Sequence, residues 1–553
     1  MSIATPHLAR NRSLRAPFTV LRIVAPDALR YGSPAVTPTP HFRVSAINFL
    51  PFAGASRPVR LKGCARSPRR IVLARIAFTT AMILGLSACE GDTSTKSQGL
   101  PSVSAGPPTQ ASSSPLADSH AAPVSVAVDN APDATTAAAP TTDYRGLWVL
   151  CEGSQRVLEH PERIPLLIED ALALGTTDLF VQVYRGGRAW YKSEQADAAP
   201  YRKALAAGGG VDPLAALIEQ AHEAGLRVHA WVNVLSLSRN RNAPILQDLG
   251  SSAIHVDRRG RSILDYPASL ELPAPDSDWY RVGTPGLYLD PGAPGVAERL
   301  VATFRELVAG YPKLDGLHLD YIRHPGVLPF VPGSRFGVGL DYGYGEASRL
   351  QFRRDTGVRG PYSNDSDPDP KHIVNSERWD AWRRDKVTAL VKQIGEATAE
   401  VNKELRLSAA VISYVDRAYL SLAQDWRGWL EDDLLDFAVP MVYSKDAKLV
   451  RYQVEAFGKG PEAARIWGGI GVWLFTNQPE RALEQLESVR HAGLGGDALF
   501  SYDSIVEARD ATAPASQGTG GSPGTVPVNL FSALVKAAQD NTNNTSSTDK
   551  SLD

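Results

Sequence analysis

Residues that could perform acid–base chemistry are concentrated in one segment of this 553-residue chain, Leu314 to Pro325. Side chains of a strand alternate between its two faces, so His318 and Asp320 share one face while Leu317 and Leu319 share the other. In a parallel barrel such a polar face is the interior, and catalytic side chains gather at the C-terminal ends of the strands. The pattern predicts that Asp320 is a catalytic carboxylate, although an inward Asp can also serve only to pair with a neighbouring arginine or backbone donor.

Polar and aromatic residues also end several other predicted strands. A lone inward histidine such as His229 is more often a core residue, but several polar groups that converge at C-terminal strand ends indicate a site. We expect Arg323 and His318 to lie beside Asp320, where they would hold its charge and bind substrate oxygens. The predicted substrate-binding residues are Gln182, Arg185, Trp231, Asn233, His318, Arg323 and Tyr443.

Between residues 143 and 510, short apolar runs alternate with longer helical periodicities, which is typical of βα units around a parallel sheet. Eight such units make a TIM barrel, an α/β fold with eight strands and eight helices, here with long βα loops after strands 3 and 4. An open doubly wound sheet is the alternative, but no Gly-x-Gly-x-x-Gly turn follows the first predicted strand. The predicted strands are Gly146–Cys151, Asp178–Tyr184, Leu226–Asn233, Asp315–Asp320, Leu405–Ile412, Leu434–Tyr443, Ile466–Val472 and Asp497–Tyr502. The predicted helices include Pro161–Leu174, Pro213–Ala224, Val296–Ala309, Ser376–Glu400, Leu420–Glu431 and Pro479–His491.

Composition narrows the function classes. The net charge is −2, which argues against a nucleic-acid binder with its concentrated basic surface. The three cysteines, Cys64, Cys89 and Cys151, are too few for a disulfide scaffold, and Cys151 on an apolar strand is expected to be core packing.

The N-terminal region resembles a bacterial lipoprotein signal. An apolar run from Ile76 to Leu86 follows a basic flank and ends in Leu86-Ser-Ala-Cys89, which is too short to span a membrane but fits a processed signal over residues 71–89. Cleavage would leave Cys89 as a lipidated N-terminus, and Glu90 after it favours the outer membrane in a Gram-negative host. Residues 1–70 then have two explanations. Either the gene start is mis-assigned and translation begins at Val59 or Val72, or these residues are a long signal extension.

Two low-complexity segments flank the predicted barrel. Residues 90–142 are rich in Ser, Thr, Ala and Pro, so they cannot bury enough apolar area to fold and are expected to form a tether. Residues 511–553 form a similar C-terminal tail, apart from an amphipathic patch at Val528–Ala538 that is expected to be a docking helix.

Over residues 143–505 the chain resembles the glycosyl-hydrolase-like family 10 domain, a bacterial TIM-barrel family. The departures are a single Asp320 before Tyr321, where family members often carry Asp-Asp-Tyr, and Pro440-Met441 in place of Pro-Gln. The resemblance implies a glycosidase, with some envelope-anchored members acting on peptidoglycan glycan strands. The matching motifs, in order, are Arg145-Gly-Leu-Trp148, Phe180-Val-Gln-Val-Tyr-Arg-Gly186, Val228-His-Ala-Trp-Val-Asn233, Tyr288-Leu-Asp-Pro-Gly292, Asp315 to Pro325, Trp382-Arg-Arg384, Asp425-Trp-Arg-Gly-Trp429, Asp436 to Tyr443 and Leu499-Phe-Ser-Tyr502.

Glycoside cleavage needs an acid that protonates the leaving oxygen and a second group that acts as nucleophile or base. We predict that Asp320 fills one role and that Glu152 or Asp503, with Asp416 as a further candidate, fills the other. A substrate-assisted route, in which Tyr443 orients an acetamido oxygen, is also open. We expect the aromatic residues of the two long connections to form sugar-stacking walls, namely Tyr266, Trp279, Tyr288, Tyr342 and Tyr344.

Two other functions compete with the glycosidase. A sugar-binding lipoprotein would keep the aromatic residues yet tolerate loss of Asp320. A metal hydrolase would use His229, His318 and Asp320, but the chain has no His-x-His or His-Glu-x-x-His pattern, so no metal or other cofactor is expected. The sequence thus predicts an envelope glycosidase whose partners are a polysaccharide substrate and, through a lipid anchor alone, a membrane. Asp290 and Asp436 are interpreted as structural.

Overall fold

The computed structural model describes residues 144–266, 286–326, 342–364, 372–511 and 529–549. The predicted N-terminal extension, the signal with Cys89, the tether and Trp279 lie outside these residues. Among the helices of the described ranges, none combines the length and the apolar character that a membrane span requires.

Eight parallel strands form a closed barrel. Each strand pairs with the next along the chain, and the first pairs with both the second and the last, so the sheet has no free edge between them. The predicted TIM barrel is therefore confirmed, and each strand lies within a few residues of its predicted bounds. The strands are β1 Tyr144–Val149, β2 Asp178–Arg185, β3 Arg227–Asn233, β4 Gly316–Asp320, β5 Arg406–Ile412, β6 Phe437–Met441, β7 Trp467–Ile470 and β8 Gly496–Leu499.

Helices surround the barrel and build its rim. One predicted helix, Leu420–Glu431, is wrong as drawn, because Ala423 adopts a left-handed conformation and the Asp425 side chain caps a new helix by accepting from the N–H of Gly428. The helices are α1 Ile164–Ala173, α2 Ala199–Ala207, α3 Pro213–Glu223, α4 Pro244–Leu249, α5 Val296–Gly310, α6 Glu346–Thr356, α7 Ser376–Ala399, α8 Val415–Leu422, α9 Trp426–Glu431, α10 Ala447–Gly458, α11 Pro479–His491, α12 Tyr502–Ala511 and α13 Leu530–Asp549.

The C-terminal helix α13 packs against α11 and α12. Leu530 and Leu534 are fully buried there, so the predicted docking helix is present, although it begins at Leu530 and extends past Ala538.

Ion pairs lie on both faces of the strands in the lower half of the barrel, and aromatic rings fill its interior. On the outer face, Arg145 on β1 makes a bidentate ion pair with Asp497 on β8, at 2.7 and 2.8 Å. Asp178 on β2 contacts both Arg227 and His229, and although burial alone would raise the pKa of Asp178, the hydrogen bonds from these two residues hold it well below its ordinary value. His229 is fully buried in this layer, which confirms its interpretation as a core residue.

The long connections after β3 and β4 build a packed rim rather than an open wall. Tyr288, Tyr342 and Tyr344 are only 0, 1 and 3 % exposed. Their expected role as sugar-stacking residues is therefore wrong, because their rings pack inside the rim, Tyr344 against Trp379 of α7 with 5.4 Å between the ring centroids. Tyr266 is half-buried, and its hydroxyl donates to Asp257 at 2.7 Å.

Candidate functional site

Asp320 is the last residue of β4 and lies in the barrel interior at its C-terminal end. Its side chain is 6 % exposed. Oδ2 accepts a hydrogen bond from the indole Nε1–H of Trp231 at 3.2 Å, and Oδ1 accepts from the backbone N–H of Tyr321 at 2.6 Å. The end of β4 thus presents a buried carboxyl group that is held in place from both oxygens.

The environment of Asp320 favours the protonated form more than water does. Burial raises its pKa, while the positive charges of Arg323 and Arg185 and the two hydrogen bonds lower it, and the result is a pKa of about 6 instead of 3.8. Burial is the larger effect because the charged form loses its hydration shell. A carboxylic acid of this pKa is partly protonated near neutral pH and can donate or accept a proton.

The residues after Asp320 arrange a cation beside it. Tyr321 has a φ of 52°, a left-handed conformation that turns the chain sharply at the strand end. The guanidinium of Arg323 lies 5.0 Å from the centroid of the Tyr321 ring, and its Nη1 donates to the carbonyl of His324 at 3.2 Å. As expected from the sequence, Arg323 acts electrostatically on Asp320.

Glu152 lies just beyond β1 and forms ion pairs with two arginines. Arg185 Nη1 is 3.3 Å from Glu152 Oε2, and Arg188 Nη2 is 2.8 Å from Oε1. Because Arg185 also acts on Asp320, it connects the two predicted catalytic carboxyl groups electrostatically.

Arg188 was missed by the sequence reasoning, although its signal is in the chain. Arg185 and Arg188 face each other across an antiparallel pairing, joined by Gly186 and Gly187 with φ of 63° and 73°. A Gly-Gly pair at two positive-φ positions is typical of a tight hairpin turn. The sequence Arg-Gly-Gly-Arg therefore predicts two adjacent guanidinium groups.

Gln182, Asn233 and Cys151 form a buried polar chain beneath the mouth. The amide of Gln182 donates to Asn233 Oδ1 at 3.1 Å, and its oxygen accepts from the thiol of Cys151 at 3.1 Å. Asn233 is level with Asp320 in the β3–β4 register. The thiol belongs to the core cluster and burial raises its pKa, so it is a packing residue as predicted.

Tyr443 lies two residues beyond the end of β6. Burial, reinforced by Asp320, raises the pKa of Tyr443 well above its usual range, so its hydroxyl remains a donor. Its ring is 5.5 Å from that of Phe500. The structure therefore brings together Asp320, Trp231, Arg323, Arg185 and Tyr443, with Glu152 joined to them through Arg185.

Two predicted site residues, His318 and Asp503, lie outside the group around Asp320. His318 is fully buried one layer below Asp320, where its Nε2 accepts from Trp148 at 3.1 Å and its Nδ1 contacts Ser408 Oγ at 2.9 Å. Burial lowers the pKa of His318 well below its usual range, so it is a neutral core residue that does not hold the charge of Asp320.

Asp503 is 3 % exposed and accepts from the backbone N–H groups of Gln155, at 2.8 Å, and Leu150, at 3.4 Å. These hydrogen bonds hold the loop after β1, which contains Glu152. Asp416 is an exposed residue in the first turn of α8. Asp290 accepts from Ser348 and the N–H of Gly292, and Asp436 accepts from the N–H of Leu407, as structural residues do.

Comparison with known proteins identifies the family of this chain. A sequence model described as glycosyl hydrolase-like 10 matches residues 143–470, more than half of the chain. The chain belongs to the glycosyl hydrolase-like 10 family. It is 25 % identical over 403 residues to the glycosyl hydrolase DigH of Escherichia coli K12, covering 69 % of this chain and 77 % of DigH. It is 24 % identical over 303 residues to the glycosyl hydrolase YngK of Bacillus subtilis, covering 52 % of this chain and 50 % of YngK.

Two solved structures with a similar course of chain are enzymes that act on carbohydrates. The catalytic domain of β-amylase from Paenibacillus polymyxa superposes with a TM-score of 0.43 at 14 % identity, covering 71 % of this chain and 98 % of that domain. An α-L-fucosidase from Paenibacillus thiaminolyticus gives 0.42 at 13 % identity, covering 72 % and 49 %. Family membership supports a glycoside-hydrolase type of function for the barrel.

Within the described part of the chain, no three histidine, cysteine or acidic side chains are placed to hold a metal ion together. His229 and His318 of the metal-hydrolase hypothesis are engaged by Asp178 and by Trp148 and Ser408.

Proposed function

We propose that this protein is a glycoside hydrolase that cleaves glycan strands of the bacterial cell envelope, those of peptidoglycan in particular. The observation that carries the proposal is the buried carboxyl group of Asp320, with a pKa of about 6, at the C-terminal end of a glycosyl hydrolase-like barrel. Such a group can protonate the leaving oxygen of a glycosidic bond as it breaks. The hydrogen bond from Trp231 keeps it oriented, and the charge of Arg323 acts on it.

Glu152 is the best partner for Asp320. It is 25 % exposed through its side chain and bound by Arg185 and Arg188, whereas Asp503 is committed to backbone N–H groups. Glu152 then serves as the nucleophile, or as the base that activates water. A carboxyl separation of about 5–5.5 Å gives retention and one of about 6.5–9.5 Å gives inversion, so the anomer released first, observed by NMR, identifies the route.

Gln182, Asn233 and Tyr443 supply amide and hydroxyl groups to the sugar in this proposal. Because burial and Asp320 raise the pKa of Tyr443, its hydroxyl stays protonated, which suits hydrogen bonding to a sugar oxygen or to an acetamido group. Trp231 contributes an indole face beside the acid.

From the sequence we propose that the protein is a lipoprotein anchored in the outer membrane and facing the periplasm. Lipidation at Cys89 and the tether over residues 90–142 would hold the barrel near the glycan layer. Metabolic labelling with a palmitate analogue tests the anchor: the label should enter the wild-type protein and be absent from Cys89→Ser.

Digestion of purified glycan strands, with and without stem peptides, tests the activity. Wild-type protein should release shorter glycans, Asp320→Asn should release none, and Asp432→Asn, which changes an exposed Asp at the end of α9, should behave like wild type. Equal cleavage by wild type and Asp320→Asn would overturn the assignment of Asp320.

A non-catalytic carbohydrate-binding role is the second candidate. The single carboxylate at Asp320-Tyr321 favours it, because family members often have two adjacent aspartates there. In that case neither wild type nor Asp320→Asn would cleave glycan strands, and both would retain them on an affinity column.

A further inference from the structure

Helix α8 carries exposed aromatic side chains outside the group around Asp320. Tyr414, at its N-cap, is 43 % exposed, Tyr419 is 38 % exposed and Leu420 is 66 % exposed. The other side of the helix is anchored by Ala418 and Leu422, which are 0 and 3 % exposed. Since these two residues already seat the helix, the aromatic side chains are not required for its packing.

This helix lies at the same end of the barrel as Asp320. It follows the C-terminal end of β5, and the carbonyl of Leu422 accepts a hydrogen bond from the N–H of His324 at 2.8 Å. His324 is only four residues after Asp320. Extended-chain and helical dimensions therefore place Tyr419 within roughly 25 Å of Asp320, which an oligosaccharide can span.

A guanidinium group accompanies Tyr419. The Cζ atom of Arg384, on α7, lies 4.1 Å from the centroid of the Tyr419 ring. Its neighbour Arg383 is paired with Asp380 at 2.5 Å, whereas no carboxylate of the described residues lies at ion-pair distance from Arg384. The patch therefore presents an aromatic ring and a positive charge that can still accept an anionic partner.

A shallow surface depression lies between α7 and α8 at these groups. Its lining includes His324, Asp380, Arg384, Tyr419, Leu420 and Ser421. The combination of an aromatic face, a hydroxyl and a guanidinium suits a sugar ring better than a protein partner. A stable protein interface needs roughly 1,000 Å² of buried surface with an apolar centre, which a small charged depression does not offer.

We propose that the α7–α8 patch, consisting of Tyr419 and Arg384, is a glycan subsite that binds a sugar unit carrying a carboxylate. The ring of Tyr419 packs against the C–H face of the sugar, and Arg384 binds its carboxylate through paired N–H donors. The proposal rests on the proposed function, since the subsite would hold a strand whose scissile bond lies at Asp320. The subsite would make residues outside the barrel interior select which glycan strands bind.

Binding of glycan strands to the full-length protein carrying Asp320→Asn tests the subsite without cleavage. Strands with free carboxylates are compared with the same strands after their carboxylates are capped as neutral amides. Arg384→Gln and Tyr419→Ala should each weaken binding of the free-carboxylate strands about tenfold, as loss of a charge-assisted contact does. Arg384→Gln should also abolish the difference between free and capped strands, and Tyr419→Trp should restore affinity.

The matched control is Tyr452→Ala, which removes a 73 % exposed tyrosine from α10 and should leave affinity unchanged. The subsite is overturned if Arg384→Gln and Tyr419→Ala bind as tightly as the parent protein, or if the parent does not distinguish free from capped strands. That result could occur while Asp320-dependent cleavage persists, so failure of the subsite is separable from failure of the proposed function. Conversely, the binding test could show that Arg384 distinguishes free from capped strands while the wild-type protein cleaves no glycan strands. That result would support the subsite and reject the hydrolase.

Discussion

The indole N–H of Trp231 points at Oδ2 of Asp320 from 3.2 Å, so a residue at the end of β3 controls the acid at the end of β4. This hydrogen bond stabilises the carboxylate, as does the backbone N–H of Tyr321, and both act against the effect of burial. The pKa of about 6 is therefore a balance that single substitutions can shift.

Replacing Trp231 with Phe should shift the pH dependence of cleavage. The change removes a donor that favours the carboxylate, so the pKa of Asp320 should rise by about one unit, in line with the net strength of a hydrogen bond to a charged group. If Asp320 is the general acid, kcat/KM falls as the pH rises through its pKa, and the falling limb should move to higher pH. A pH–rate profile of wild type and Trp231→Phe on one soluble oligosaccharide measures this, and an unmoved limb would contradict the role of Asp320 as the acid.

The charged side chain of Asp320 should lower the free energy of unfolding at neutral pH. Its pKa is raised from 3.8 to about 6 on folding, so the folded protein binds the proton more tightly and becomes relatively more stable as the pH falls through 6. Asp320→Asn removes this dependence. The gain in free energy of unfolding of the mutant over wild type should be about 2 kcal/mol larger at pH 7 than at pH 4. Guanidinium unfolding at both pH values measures it, with Asp432→Asn as the control that shows no such difference.

Substitutions of Glu152 and Asp503, the two candidates for the second carboxylate, should have different effects on activity and on stability. Glu152→Gln should lower kcat by about 10²-fold or more with little change in Tm, because Glu152 is partly exposed and its ion pairs are with Arg185 and Arg188 near the surface. Asp503→Asn should instead destabilise the protein by about 1–2 kcal/mol, because the carboxylate holds two backbone N–H groups. Added azide should rescue Glu152→Ala if Glu152 is a nucleophile. The reverse pattern would move the catalytic role to Asp503.

Tyr443→Phe distinguishes substrate-assisted catalysis from a second protein carboxylate. In the substrate-assisted route the hydroxyl orients the acetamido oxygen, so kcat on N-acetylated strands should fall by about 10²-fold. Under the Glu152 route the loss should be limited to one hydrogen bond, about tenfold. Steady-state kinetics on the same strands decides, and unaltered turnover would exclude Tyr443 from either route.

His318→Leu should affect stability and leave substrate binding intact. The substitution leaves the N–H of Trp148 and the hydroxyl of Ser408 without their partner inside the barrel, which should cost about 2–4 kcal/mol. KM of the folded protein should stay within about twofold of wild type. A large rise in KM with unchanged Tm would reinstate the substrate-binding role predicted from the sequence.

Side-chain alternation and apolar runs carried much of the prediction. They located all eight strands, the inward face of Asp320 and the core role of His229, because burial of a parallel strand leaves a readable pattern in the residues themselves. The same alternation could not separate His318 from Asp320, since both face inward. Their two-residue offset along β4 decides between a closed aromatic layer and the mouth, and that layer is completed by Phe180, whose ring stacks on His318 at 4.3 Å.

The rim shows where sequence reasoning failed. Aromatic residues in long loops are equally consistent with an exposed wall and with a packed core. Tyr344 belongs to a small core with Phe352 of α6 and Trp379 of α7, and Tyr342 belongs to the main core. Among the exposed rings are Tyr414 and Tyr419 at α8, and the predicted helix Leu420–Glu431 begins just after them.

The sequence by itself determined the barrel, the family and the carboxylate at the end of β4, because these depend on periodicity and on short motifs local to the chain. Only the tertiary structure decided which groups act on Asp320. Trp231 and Arg185 come from two other strands and Tyr443 from the loop after a third, and Arg384 of α7 contacts Tyr419 of α8. The pKa of a buried carboxyl group depends on the distance and direction of such neighbours, and those are fixed only when the strands close into a barrel.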